Sequence, residues 1–260
     1  MVPALMHDIL HPQAQRLAQP SLQRLVPLAL CCAVGFAAYG FGVGWWRSPL
    51  MALYVAIKMP LLIGLVLGCN CLLNGLLALV LGSGLGLRQS LECLLQAFAI
   101  SALILGSLAP VAFLLAYNAP PPDSAAAQTA HAGYMLIHTA LIGVAGCIGV
   151  FKLRKLLLAW CPNASIAHAT LSAWVLGNAF IGAQWSWILR PFFGAPHLEV
   201  EFLRPNPMRG NFYETLWGSL QHFLARIPPL MILPATCGLI LLILVISSFF
   251  VSKPSTPAPP

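Results

Sequence analysis

Asn70 and Asn74 stand one helical turn apart in one apolar run of this chain, and His138 stands in another. In hydrocarbon such side chains turn toward a helix bundle, either to hydrogen-bond a neighbouring helix or to line a polar path. In a third run His168, Ser172, Asn178, Gly182 and Ser186 are taken to share one face, with Gln184 beside them. Interhelical bonding is the preferred role, because no embedded Asp or Glu with a clear partner accompanies these groups; Glu92 falls near the end of its run. The same lack argues against proton- or sodium-coupled transport.

Catalytic constellations are harder to find. His131, His138 and His168 lack the H-E-x-x-H spacing, no G-x-S-x-G elbow occurs, and no run contains paired carboxylates. Glu199 and Glu201, beside Arg204, point the same way on an extended segment and read as a solvated face. The stretch from Gly82 to Arg88 resembles a phosphate-binding nest, but it lacks the preceding strand and the following Lys-Ser/Thr, so it reads as a tight turn. Of the eight cysteines, only Cys161 lies in a polar connection, and Cys69/Cys71 is C-x-C, so neither a disulfide framework nor a metal site is expected. The expectation is a non-enzyme with no cofactor.

Composition fixes the class of object that must position these groups. With 59% hydrophobic and 7% charged residues and a mean hydropathy of +0.85, the chain is expected to be an integral membrane protein. Its net charge of +7 comes from 13 basic residues scattered singly, without the clustered stripe that nucleic acid requires. Membrane lipid is therefore an expected partner and nucleic acid is not.

Apolar stretches near 25–46, 50–82, 89–117, 131–151, 166–189 and 229–251 are each long enough to cross a hydrocarbon core of ~30 Å. The first is a retained span and not a signal peptide, because its length exceeds a secretory h-region and it ends in Trp45-Trp46-Arg47. Backbone groups in lipid must be satisfied internally, and runs of this length exclude alternating barrel strands. The expected fold is an all-α bundle of six transmembrane helices in a single domain, 25–251, after an N-terminal cytoplasmic segment, 1–24.

The second stretch would extend ~50 Å as one helix, so a kink is expected at Pro60, which removes a backbone donor. In the preferred arrangement residues 49–59 lie at the interface and Lys58 snorkels to the headgroups. If the crossing instead begins at Pro49, Lys58 lies about ten residues deep, where a lysine is costly and usually functional. Gly40/Gly44, Gly64/Gly68 and the series Ala169, Ala173, Gly177 have the four-residue spacing of close helix packing.

Loop charge predicts orientation. Arg16, Arg24, Arg88, Lys152, Arg154, Lys155 and Lys253 would share the cytoplasmic side with both termini, while 118–130 carries Asp123 and no Lys or Arg. The connection at 190–228 runs against this trend, with Arg190, Arg204, Arg209 and Arg226 on the outer side. Within it, 211–226 places Phe212, Leu216, Trp217, Leu220, Phe223 and Leu224 on one side, with Asn211 as N-cap and Glu214 three residues later. An amphipathic interfacial helix between spans five and six is expected there. Residues 252–260 read as a disordered Pro-rich tail, and 119–127 as a Pro/Ala linker.

The remaining candidates sit where the fifth span meets that connection. Trp185, Trp187 and Arg190 suit the headgroup level, Pro191 stops the helix, and Arg190 meets the negative end of the helix dipole. The run Gly182-Ala183-Gln184, Trp187, Leu189-Arg190-Pro191-Phe192, Gly194 and Pro196, followed by Gly210-Asn211-Phe212-Tyr213, resembles a family of uncharacterised bacterial multi-pass membrane proteins, some labelled actin-binding WH2 proteins. Ala56-Ile57-Lys58-Met59-Pro60 and Ser107-Leu108-Ala109-Pro110 extend the likeness, which spans about 36–217. A WH2 element needs a soluble amphipathic helix followed by an LKKT-like strand, and neither is found in this chain. The family is more distantly similar to Yip1-type proteins, which implies membrane organisation, a bacterial inner membrane and no reaction. The expected function is a structural or accessory subunit that binds a protein partner through 190–228 or organises lipid. The alternative is a small carrier or channel lined by Asn70, Asn74, His138, Asn178 and Gln184.

Overall fold

The computed structural model describes residues 2–12, 14–18, 21–214 and 217. Residues 1–209 form one compact unit and residues 210–260 a second. The regular structure of the described residues is helical: α1 (Val2–Leu10), α2 (Leu22–Trp45), α3 (Pro49–Val80), α4 (Leu87–Ser107), α5 (Ala109–Asn118), α6 (Ala127–Trp160) and α7 (Ala164–Ile188). A short 3-10 turn covers Ala14–Ala18. Five of these helices, α2, α3, α4, α6 and α7, are long and apolar enough to cross a membrane. The expected sixth span at 229–251, most of the amphipathic helix at 211–226 and the tail lie outside the described residues.

Local chemistry explains where the helices start. The Ser48 hydroxyl accepts from Met51 N at 3.0 Å ahead of Pro49, a residue whose missing N–H costs nothing in a first turn. Asn163 Oδ1 accepts from Ile166 N at 2.9 Å and starts α7.

Two expectations about the spans need correction. The stretch expected to cross once at 89–117 is two helices, α4 and α5, that meet at Leu108. Pro110, in the first turn of α5, has no N–H to continue the α4 hydrogen-bond ladder. Conversely, α3 runs as one helix through Pro60, so residues 49–59 are not a separate interfacial helix.

Packing runs through small residues. A Cβ on Gly44 would stand 2.6 Å from Met51 O, and one on Gly40 2.7 Å from Val55 O, so α2 lies backbone to backbone along the start of α3. Gly149 brings α6 as close to Ala97 O of α4. Gly64 and Gly68, by contrast, face no atom within 4 Å among the described residues. Their spacing does not mark a contact here.

One end of this unit holds the turns at 81–86 and 161–163, where Gly82 and Gly84 take φ of 72° and 73°. The N-terminal segment is fixed at this end, with Gln96 donating to Ile9 O at 2.6 Å, Gln89 to Leu17 O at 3.0 Å and Lys152 to Leu10 O at 2.9 Å. Arg24 pairs with Glu92 there at 3.3 Å. At the opposite end stand the turn at 46–48, the linker at 119–126 and the segment after α7. In the second unit, Asn211 Oδ1 accepts from Glu214 N at 2.8 Å, and the rings of Phe212 and Tyr213 meet edge to face.

Candidate functional site

The site follows from a mismatch in length between α3 and α7. The two helices run antiparallel in a register fixed by contacts along their length. Trp174 Nε1 donates to Asn74 O at 2.7 Å, Asn70 Nδ2 to Asn178 Oδ1 at 3.3 Å, and Trp185 Nε1 to Cys69 Sγ at 3.4 Å. In that register α7 ends level with Lys58, and the nine residues 49–57 of α3 continue past it. Pro191 cannot extend α7, so its last carbonyls lack helical donors.

One cation supplies such a donor: Arg190 donates to Trp187 O at 2.6 Å while lying 3.6 Å over the Trp187 ring, at the negative end of the α7 dipole. A second, Lys58, lies with Nζ 2.8 Å from Pro191 O, just beyond the helix. Lys58 is 0% exposed, so the expectation that it snorkels to the headgroups is wrong. The segment after α7 folds back and covers it: Nζ stands 5.0 Å from the Phe202 ring centroid and 5.9 Å from Phe192, with Tyr54 of α3 itself at 6.0 Å. Ring quadrupoles and one carbonyl offset part of the cost of burying an ammonium. Among the described residues no carboxylate pairs with Lys58.

The next residues of the same turn reach α6. Phe193 packs 6.2 Å from His138 and 6.5 Å from Tyr134, both buried on α6. His138 Nδ1 lies 2.7 Å from the Tyr39 hydroxyl of α2, and the Tyr134 hydroxyl donates to Val43 O at 3.1 Å. Farther along, Arg47 donates to Leu198 O at 3.0 Å, and its side chain lies so near Gly194 that a Cβ there would stand 2.8 Å from Cγ. Gly194 has a φ of 68°, which disfavours a side chain independently. Arg204 pairs with Glu201 at 3.2 Å. Burial, and then the Arg204 guanidinium, push the Arg190 pKa below its ordinary value.

A second group of polar residues lies between α3 and α7. Asn70, Asn74 and Thr170 are fully buried, yet among the described residues Asn70 Oδ1, both amide atoms of Asn74 and Thr170 Oγ1 have no hydrogen-bond partner. Asn178 turns its amide back to Trp174 O at 2.7 Å. Asn70 Oδ1 and Asn74 Oδ1 each lie 3.9 Å from the point where a Gly177 Cβ would stand.

No family model, no curated protein and no solved structure matches this chain. The site is accordingly defined by its own geometry.

The residues singled out by sequence therefore fall into three places. Lys58, His138, Arg190, Pro191 and Gly194 come together where the segment after α7 meets α3, α6 and α2, with Trp187 beneath Arg190. Asn70, Asn74 and Asn178 lie midway along α3 and α7, with half-buried Trp185 and Gln184 nearer the end of α7. Pro196 is half-buried on the segment itself, and Asn211 and Tyr213 belong to the second unit. The expected polar face of α7 is corrected: Ser172 is exposed, and the buried stripe is Ala167, Thr170, Leu171 and Trp174. His168 bonds Arg154 at 3.3 Å instead. Tyr39, Tyr54, Tyr134, Arg47, Phe193 and Phe202 were missed. An aromatic ring in an apolar run gives no signal of its own; a cluster that only tertiary contact assembles is invisible in spacing.

Proposed function

We propose that this chain is a non-catalytic multi-pass membrane protein acting as a structural or accessory subunit, with the segment 189–209 as the face that meets a protein partner. One observation carries this reading. The segment is fixed from within by Lys58, Arg47 and His138, yet turns Leu198 (41% exposed) and Met208 (71% exposed) outward. Apolar side chains held outward on an ordered segment outside the long helices are the raw material of a binding surface. By the positive-inside rule, Arg24, Arg88, Lys152, Arg154 and Lys155 favour the cytoplasm for the opposite end, against the opposing count of Arg190, Arg204 and Arg209 at this face.

A second reading, a polar path through the bundle, is favoured by the atoms of Asn70, Asn74 and Thr170 that have no partner among the described residues. Asn178→Leu separates the two. The variant is purified beside the unaltered chain for native mass spectrometry, and both are reconstituted in liposomes for ion and small-solute flux. An accessory subunit keeps its partner and shows no flux in either form. A path shows flux that the variant loses.

A further inference from the structure

His7 and His11 stand four residues apart at the end of α1. On a helix that spacing sets two side chains on one face, about 5–6 Å apart at Cβ. Here the two imidazoles stack, with ring centroids 4.6 Å apart and planes 22° from parallel. Both residues are exposed, whereas Ile9, on the opposite side of the helix, is buried. The pair therefore faces outward, where an ion can reach it.

The backbone fixes one ligand atom. His11 Nδ1 lies 3.2 Å from His7 O, which can only accept, so Nδ1 carries the proton and Nε2 keeps its lone pair. A bond from the other ring nitrogen to a carbonyl is the usual companion of a metal-ligating histidine. The turn that carries the pair is itself anchored to the bundle: between the two histidines, Ile9 O accepts from Gln96 at 2.6 Å and Leu10 O from Lys152 at 2.9 Å. Two Zn–N bonds of about 2.0–2.1 Å meeting at a tetrahedral ion set their nitrogens roughly 3.3 Å apart, a separation that rings with centroids 4.6 Å apart reach by small rotations. Imidazole suits zinc, copper and nickel, and paired histidines at this helical spacing are a zinc-binding arrangement.

We propose that His7 and His11 form a two-histidine site for a divalent transition-metal ion, zinc by the chemistry of its ligands, with the remaining positions of the ion open to water or an outside ligand. The inference is independent of the accessory-subunit reading. At nine residues α1 is shorter than the ~12–15 that an isolated helix needs to be even marginally stable. An ion bridging its last turn would fasten that turn, and with it the two carbonyls by which α4 and α6 hold the N-terminal segment.

The test uses the full chain in detergent. Native mass spectrometry counts bound zinc, and hydrogen–deuterium exchange locates it, with magnesium as the comparison because that hard ion prefers oxygen ligands. Zinc should slow exchange of the amides in 6–11, and magnesium should not. His7→Gln and His11→Gln should each raise the zinc concentration needed for that protection at least about tenfold, since a lone imidazole loses the effective concentration of its neighbour. Both side chains are exposed, so the metal-free variants should melt with the unaltered chain. His197→Gln, also exposed but on the segment after α7, should change nothing. Bound zinc that leaves exchange in 6–11 unaltered overturns the site. So does equal protection by magnesium, which would mean general charge attraction. Protection that survives either variant overturns it as well, since one histidine would then suffice or neither would be a ligand.

Discussion

Replacing Lys58 by Met tests whether the segment after α7 is held by the buried ammonium. Methionine keeps the length and apolar stem of the side chain and removes the charge. Three terms then compete. Pro191 O loses its donor at 2.8 Å, and an unsatisfied buried carbonyl costs about 1–3 kcal/mol. Attraction to the rings of Phe202, Phe192 and Tyr54 disappears, worth roughly 0.5–2 kcal/mol. Against these, an ammonium that is 0% exposed no longer has to be dehydrated, a relief of several kcal/mol shared between the helices around Lys58 and the segment that covers it, which leaves the local loss below the sum of the first two terms. Global stability should therefore hold or rise while the segment loosens. Taking about 2–3 kcal/mol for the local loss, opening of the segment becomes roughly 30- to 150-fold more frequent. Hydrogen–deuterium exchange reads this directly: amides in 192–203 should speed by that factor, and those of α4 should not. Unchanged exchange in 192–203 in a folded variant would refute the reasoning, since Lys58 would then not be what holds the segment.

Other substitutions test the packing and the buried polar groups. Gly44→Ala should destabilise the bundle by about 1–3 kcal/mol, because the new methyl meets backbone at 2.6 Å; Gly64→Ala, with nothing within 4 Å, should be neutral or slightly stabilising in the same thermal melt. Asn74→Leu should be neutral or stabilising, because both amide atoms lack partners among the described residues. A marked loss of melting temperature there would mean that the amide holds a water or ion, and would favour the polar path. Arg24→Gln strands Glu92, whose side chain is 8% exposed, and should cost about 1–3 kcal/mol; adding Glu92→Gln should restore most of the stability, and failure of that rescue would show the pair to be incidental.

Much of the helical architecture is legible in the sequence because apolar length is a strong constraint: every long helix among the described residues falls on an expected run. Helix starts are legible where a side chain caps its own turn, as Asn163 does. What depends on distant contact is not. Lys58 finds its acceptor 133 residues away, so spacing alone left it at the membrane surface. The buried side of α7 is chosen by Trp174 reaching Asn74 O, which no periodicity of α7 contains. Pro60 sits inside one helix whereas Pro110 begins a new one, since whether a missing donor ends a helix depends on the neighbours that pack around it. Gly40 and Gly64 open the same four-residue motif, and only the helix that lies opposite distinguishes them.

Photo-crosslinking at Met208 tests the central claim most directly. A benzophenone side chain is placed at Met208, on the exposed face of the segment, and in a second preparation at Leu176, exposed on α7. Both are irradiated in native membranes. The accessory-subunit reading predicts a discrete protein adduct from position 208, shared across independent preparations, and lipid adducts alone from position 176. Position 208 yielding no protein adduct in a folded, membrane-inserted chain would contradict it.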